Sequence, residues 1–231
     1  MLKKILSLVL FCVVGSYGAE TWAGIKRTPH RAPAPESHLI QLIRSEFQKS
    51  LQSNNYKNVF SKVESMKGAS IPGLMTVAKD EREPGESRWV AILELARIGN
   101  NSSIPFLIEL LGEKNWMVKS AAIQGLQALN SVSSAEKIRP FLKDPALMVQ
   151  IQAIHALGKF KYKKAASELH ALLKNQKKSF FSKQERWIQK QLIWALSEMK
   201  YKPALETLKE YRNTPIELKP VITKAIQVLE S

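Results

Sequence analysis

Apolar positions recur along this chain every three or four residues, and they do so in a phrase that repeats. The segments ending Leu95-Ala96-Arg97-Ile98-Gly99, Leu126-Gln127-Ala128-Leu129-Asn130, Ile154-His155-Ala156-Leu157-Gly158, Ile193-Trp194-Ala195-Leu196-Ser197 and Ile226-Gln227-Val228-Leu229-Glu230 align with one another. Their anchors, Ile98, Leu129, Leu157, Leu196 and Leu229, stand 31, 28, 39 and 33 residues apart. A short amphipathic helix cannot bury its apolar face alone. Recurrence at this period therefore predicts a stack of helix pairs, each touching only its neighbours.

The anchor series is predicted as helices over about 56–67, 86–99, 116–130, 146–158, 184–199 and 215–230, with a first helix from Ser37 to about Ser53. A second series follows at about 70–80, 102–113, 133–143, 163–175 and 202–212. Three columns inside the anchor helices read as buried. They are Val90, Ala121, Val149, Ile188 and Val221; then Leu95, Leu126, Ile154, Ile193 and Ile226; and a mostly small set, Glu94, Gly125, Ala153, Leu192 and Ala225. Glu94 breaks the third column, which leaves a one-residue shift or a boundary unit as its readings. Ser70-Ile71-Pro72 returns as Ser103-Ile104-Pro105 and marks two equivalent helix starts, since proline is tolerated in a first turn. Ser133 with Glu136, Ser182 with Glu185 and Thr214 with Glu217 fit capping boxes. Asp144 before Pro145 fits a cap, and Gly99 and Gly158 fall where helices are expected to stop. No strand-like alternation of any length occurs. The expected fold is all-α: a right-handed α-solenoid of five to six helix pairs, preceded by a signal peptide and a linker.

The Val-x-x-x-Ala-Ile-x-Ala-Leu-Gly run from Val149 to Gly158, with its partial copies, resembles the HEAT-repeat family over roughly residues 55–231. It is most similar to the short bacterial repeats also found in phycobilin lyases. The resemblance implies the solenoid and is weak for function, because such repeats serve scaffolds, inhibitors, lyases and nucleic-acid enzymes alike. One enzyme class of the family, the deoxyhypusine hydroxylases, binds iron through adjacent His-Glu pairs. No histidine of this chain is followed by glutamate, so that activity is not implied.

The first residues carry a different pattern. Lys3 and Lys4 precede a ten-residue apolar run, Ile5 to Val14, and small residues follow at Gly15, Ser16, Gly18 and Ala19. This is the pattern of a secretory signal peptide over residues 1–19, too short to span a bilayer comfortably. Cleavage after Gly18 and after Ala23 both fit; an uncleaved leader acting as a membrane anchor is the alternative. The single cysteine, Cys12, lies inside this run, so the mature chain has no disulfide. Residues 20–36 form a linker rich in proline and basic residues, and the repeat domain is expected over residues 37–231. The expected location is the periplasm of a bacterium or the medium.

The formal charge is +15, which favours anionic partners or a merely solvated surface. Catalytic chemistry is not visible. The four histidines, His30, His38, His155 and His170, show no metal-ligand spacing, and nucleotide and nucleophile motifs are absent. No catalytic, cofactor-binding or metal-ligating residue is assigned, and no cofactor is expected. Glu109, Glu168, Glu206 and Glu210 read as solvated helix charges.

Two features could meet a partner. Lys161-Tyr162-Lys163 and Lys200-Tyr201-Lys202 are 39 residues apart, like their anchors, and so occupy equivalent turns. Lysine with tyrosine offers charge beside a flat apolar face. Plain turn chemistry, with the tyrosine packed over the next unit, is the favoured reading because turn lysines are common. The longest interval also holds an extra loop with Lys177, Lys178, Phe180 and Phe181, and insertions of this kind often map to a binding face. From Lys159 to Lys190 ten basic residues face two acidic ones, which makes the C-terminal half the expected contact region. The expected function is a non-enzymatic scaffold or adaptor for another envelope protein. The alternative is a binder of anionic polymers, such as lipopolysaccharide, a wall polymer or extracellular nucleic acid. A lyase is less supported still, by fold analogy alone.

Overall fold

The computed structural model describes residues 38–53, 55, 57–99, 101–176, 183–211 and 216–231. The expected signal peptide, the linker and the loop residues Lys177, Lys178, Phe180 and Phe181 lie outside the described residues, as do Ser182 and Thr214 of two expected capping boxes. One compact unit runs from Glu36 to Ser231. Its long helices are α1 (His38–Ser53), α2 (Lys57–Met66), α3 (Ile71–Lys79), α4 (Gly85–Ile98), α6 (Trp116–Ala128), α8 (Leu147–Lys159), α9 (Ala166–Gln176), α10 (Lys183–Glu198) and α12 (Lys219–Glu230). The shorter ones are α5 (Ile104–Glu109), α7 (Ala135–Ile138) and α11 (Leu205–Lys209). No strand occurs among the described residues.

The helices form pairs in chain order, α1 with α2 through α11 with α12. Each even-numbered helix from α4 onward packs along the next even-numbered one, and each odd-numbered helix from α3 onward packs against the even-numbered helix that follows it. Successive odd-numbered helices from α3 onward make far fewer contacts with each other. We call the layer of even-numbered helices inner and the layer of odd-numbered helices outer. The array is the predicted α-solenoid. Its buried columns hold in register: Val90, Ala121, Val149 and Ile188 are buried, and so are Leu95, Leu126, Ile154 and Ile193. Val221 and Ile226 keep the register but are only half-buried.

Glu94 causes no shift. Its side chain is buried at the small-residue position, and its carboxylate accepts from Arg97, whose Nη2 lies 2.8 Å away, one helical turn on. A neutralised carboxylate can occupy a buried position that an isolated one cannot.

Three expected helix signals act differently in the structure. Ser133 and Glu136 make no capping box. Ser134 bonds Ser131 through their hydroxyls at 2.7 Å, and Glu136 accepts instead from Tyr162. The helix expected over 133–143 is α-helical only at α7, with 3-10 turns at Val132–Ser134 and Arg139–Lys143. Pro140 sits in the second turn, where it removes a backbone donor and disfavours an α-helical continuation. The last inner helix starts at Lys219 rather than near residue 215. Asp144 does receive the amide of Ala146, at 2.8 Å, just ahead of α8. The cap of α6 is Asn115, whose Oδ1 accepts from the Met117 amide at 2.9 Å.

Gly158 does not stop α8. The helix runs through it to Lys159. The stop is made by Lys161, in the left-handed region at φ 52°, and α10 stops in the same way at Lys200, also at φ 52°. Behind them the Tyr162 and Tyr201 amides donate to the Leu157 and Leu196 carbonyls, each at 3.0 Å. This is the six-to-one closure of a Schellman end, and it normally favours glycine. The conformation costs an L-residue about 1–2 kcal/mol, against the extra chain entropy glycine loses on folding, roughly 0.5–1 kcal/mol. Lys161→Gly and Lys200→Gly are therefore each expected to raise stability by about 0.5–1 kcal/mol, read as a higher urea midpoint with an unchanged slope.

Candidate functional site

Charged side chains join consecutive units at one equivalent place. Ten residues before the anchor, an inner helix carries a cation that reaches the turn ahead of the next inner helix. Arg88 Nη2 lies 3.0 Å from Glu113 Oε2, Lys119 pairs with Asp144, and Arg186 Nε lies 3.6 Å from Glu217 Oε2. The corresponding residue of α8 is Leu147, so the series skips the interval that holds the extra loop. On the outer side Lys79 pairs with Glu109, and Arg139 Nε donates to Glu168 at 3.0 Å. Glu109 and Glu168, expected as solvated charges, thus tie neighbouring units, although exposed pairs of this kind contribute little. Among the described residues no cluster of His, Cys, Asp or Glu has the geometry of a metal site.

The inner face carries the polar and aromatic column two residues before each anchor. His155 Nδ1 donates to Gln127 Oε1 across 3.0 Å. The other side of the His155 ring stacks on Trp194, with centroids 4.6 Å apart and planes 17° from parallel. Burial, and then the Lys159 charge, hold the His155 imidazole below its ordinary pKa. His170 is different: it is buried on α9, its Nε2 lies 2.8 Å from Thr207 Oγ1, and Tyr201 meets it edge-on. Burial, followed by the Lys174 charge, lowers its pKa as well. The unfolded chain takes up protons on both rings first. Stability is therefore fully present above the ordinary imidazole pKa of about 6.5 and falls as the pH drops through it. Urea midpoints at a series of pH values should show this decline, and His170→Gln should flatten it.

Beyond Trp194 the inner face opens into a groove of about 500 Å³ between α10 and α12, reaching back to His155 and Lys161 on α8 and its end. Its apolar wall is Trp194 with Val221, Ala225 and Val228, and its charged rim is Lys161, Lys190, Lys200 and Lys224. One carboxylate, Glu198, lies on it. None of the four lysines is in an ion pair among the described residues. A bulky indole stands here where Ala96 and Gln127 stand in earlier units. Tyr211 closes the opposite, outer side of this region: its hydroxyl donates to the Leu173 carbonyl at 3.1 Å, and burial pushes its pKa up to about 12.

The repeated Lys-Tyr-Lys turns are divided by the structure. Lys161 and Lys200 line the groove. Tyr162 donates to Glu136 and Tyr201 packs on His170, so both rings lean on the preceding unit rather than the next one. Lys163 and Lys202 are exposed in the 3-10 turns Lys163–Ala165 and Lys202–Ala204. Sequence reasoning missed Lys190, Lys224, Trp194, Val221 and Val228 as a group. The available signal was Trp194 in the polar column, and Val221 in a column that is aliphatic in every copy.

Comparison with known proteins agrees with this architecture. No curated protein matches the chain. An engineered protein of known crystal structure superposes with a TM-score of 0.55 at 15% identity, covering 84% of this chain and 92% of its own. The complex of CpcE and CpcF of phycocyanin lyase from Nostoc sp. gives a TM-score of 0.37 at 17% identity, covering 89% of this chain and 99% of that one. The family model for HEAT repeats matches residues 71–146, 113–181 and 135–230. With its stacked pairs, its buried columns and this match over most of its length, the chain belongs to the HEAT-repeat family.

Proposed function

We propose that this protein is a non-enzymatic interaction scaffold of the bacterial cell envelope, exported by its N-terminal leader, that holds another protein on its inner face. A HEAT solenoid is a protein-interaction fold, and its preformed surface loses little conformational freedom on binding. The observation that carries the reading is the α10–α12 groove, where apolar side chains and four lysines meet on one surface. Val90, Ala121, Val149 and Ile188 are buried at the position of Val221, whereas Val221 is left half-exposed here, with Val228 beside it. The leader pattern of Lys3, Lys4 and the run from Ile5 to Val14 supports export.

The test is capture of partners by the processed protein from an envelope extract, washed at low and then high salt. A protein retained at high salt supports an apolar, packed interface. Retention of polyanions alone, lost on the high-salt wash, contradicts the scaffold reading and favours the anionic-polymer alternative. N-terminal sequencing of the protein recovered outside the cytoplasm tests the export part: a start at residue 19 or 24 supports it, and an intact N-terminus in the cytoplasm contradicts it.

A further inference from the structure

We infer that the α10–α12 groove is built for an acidic linear segment of a partner protein, with an apolar side chain seated between the two helices. This rests on the scaffold reading and names the chemistry of its contact. The apolar half of the argument is positional. Val221 belongs to the column whose other members, Val90, Ala121, Val149 and Ile188, are all buried. Val228 sits one residue before its anchor, where Ala156 and Ala195 of the two preceding inner helices are buried and Ala128 before them is exposed. Both face the half-buried indole of Trp194 across open space. Burying one aliphatic side chain there is favourable by about 1.5–3 kcal/mol, so the wall selects a segment with an anchor residue.

The charged half selects the sign. Lys161 and Lys200 stand at equivalent helix ends, Lys190 and Lys224 line the groove from α10 and α12, and Glu198 is the one carboxylate of its lining. Their charges reinforce one another in a concave, partly apolar site, where screening is weaker than on an open surface. The chain's own linker cannot be the occupant, because Lys26, Arg27 and Arg31 make it basic. A polysaccharide or nucleic acid would satisfy the lysines and lay a sugar or base face on the indole, but brings no aliphatic side chain for Val221 and Val228. A peptide with spaced carboxylates and one aliphatic or aromatic anchor satisfies both halves.

The test uses the processed full chain and three labelled probes: a short peptide of glutamates around a central leucine, the same peptide with glycine for leucine, and dextran sulfate. Binding is read by fluorescence anisotropy. The leucine peptide should bind at least about tenfold more tightly than the glycine peptide. The double reversal Lys190→Glu with Lys224→Glu, at exposed positions that leave the fold intact by circular dichroism, should weaken it by about a hundredfold. Val228→Asp should remove the leucine preference while retaining weak glutamate binding. Equal binding of both peptides and dextran sulfate, or no effect of the double reversal, overturns the inference. A partner captured equally well by wild type and by the double reversal also overturns it, while leaving the scaffold reading standing.

Discussion

Arg88→Ala should destabilise the solenoid by about 2–3 kcal/mol, the cost of leaving a buried carbonyl without its donor and a half-buried carboxylate without its cation. The side chain is buried on α4. Its Nε donates to the Ala78 carbonyl at 2.8 Å, and its Nη2 lies 3.0 Å from Glu113 Oε2. The Ala78 carbonyl belongs to the last turn of α3 and has no partner within its own helix. One guanidinium therefore joins the outer helix of its own pair to the turn that launches α6. Removing it leaves two acceptors without their cation. Lys79 with Glu109, an exposed pair between neighbouring units, should by contrast shift stability by less than about 1 kcal/mol when broken. Urea melts of both variants separate the two cases. A loss below about 1 kcal/mol for Arg88→Ala would show that inter-unit packing holds these elements without the ion pair.

Gly158→Val should cost about 3 kcal/mol, more than its gain in helix propensity can offset. A Cβ at this position would stand 2.8 Å from the Ala195 Cβ, 2.8 Å from Trp194 Cζ3 and 2.9 Å from the Ala195 Cα. The last contact is backbone, so α8 and α10 must separate, and with them the His155–Trp194 stack. Replacing glycine inside a helix recovers roughly 1 kcal/mol at most, so the clash decides the sign. Gly125 provides the internal comparison. Its added Cβ would meet Leu107 Cδ1 at 3.2 Å and the Ala96 Cβ at 3.3 Å, contacts that small side-chain movements can relieve. Gly125→Ala should stay within about 1 kcal/mol of wild type. Thermal melts followed by circular dichroism would report the stability of both variants. An unchanged melt for Gly158→Val would mean that the two inner helices approach less closely than described here.

The period of the apolar pattern made the pairing, the inner series and its three buried columns legible, because each unit repeats the same burial problem. The helix ends were less legible. Gly158 looked like a stop, yet its missing side chain is needed by α10, and the stop passed to Lys161, a residue with no intrinsic preference for that conformation. Glu136 looked like a cap partner, yet it serves Tyr162 of the following unit. Both are contacts between residues far apart in sequence, which local spacing does not carry. The same holds for the groove. Lys161 and Lys200 stood out because their turns repeat. Lys190 and Lys224 did not, since they gain meaning only when α10 and α12 are placed side by side.

Site-specific photocrosslinking in the cell that makes the protein tests most directly whether the inner face is the working surface. A crosslinking residue at Gln191 or Ser197 lies in the groove, and one at Glu109 or Lys137 lies on the outer helices. A discrete protein adduct is expected from the groove positions, absent from the outer ones and lost with the Lys190→Glu, Lys224→Glu pair. Adducts from the outer positions alone, with none from the groove, would contradict an inner working surface.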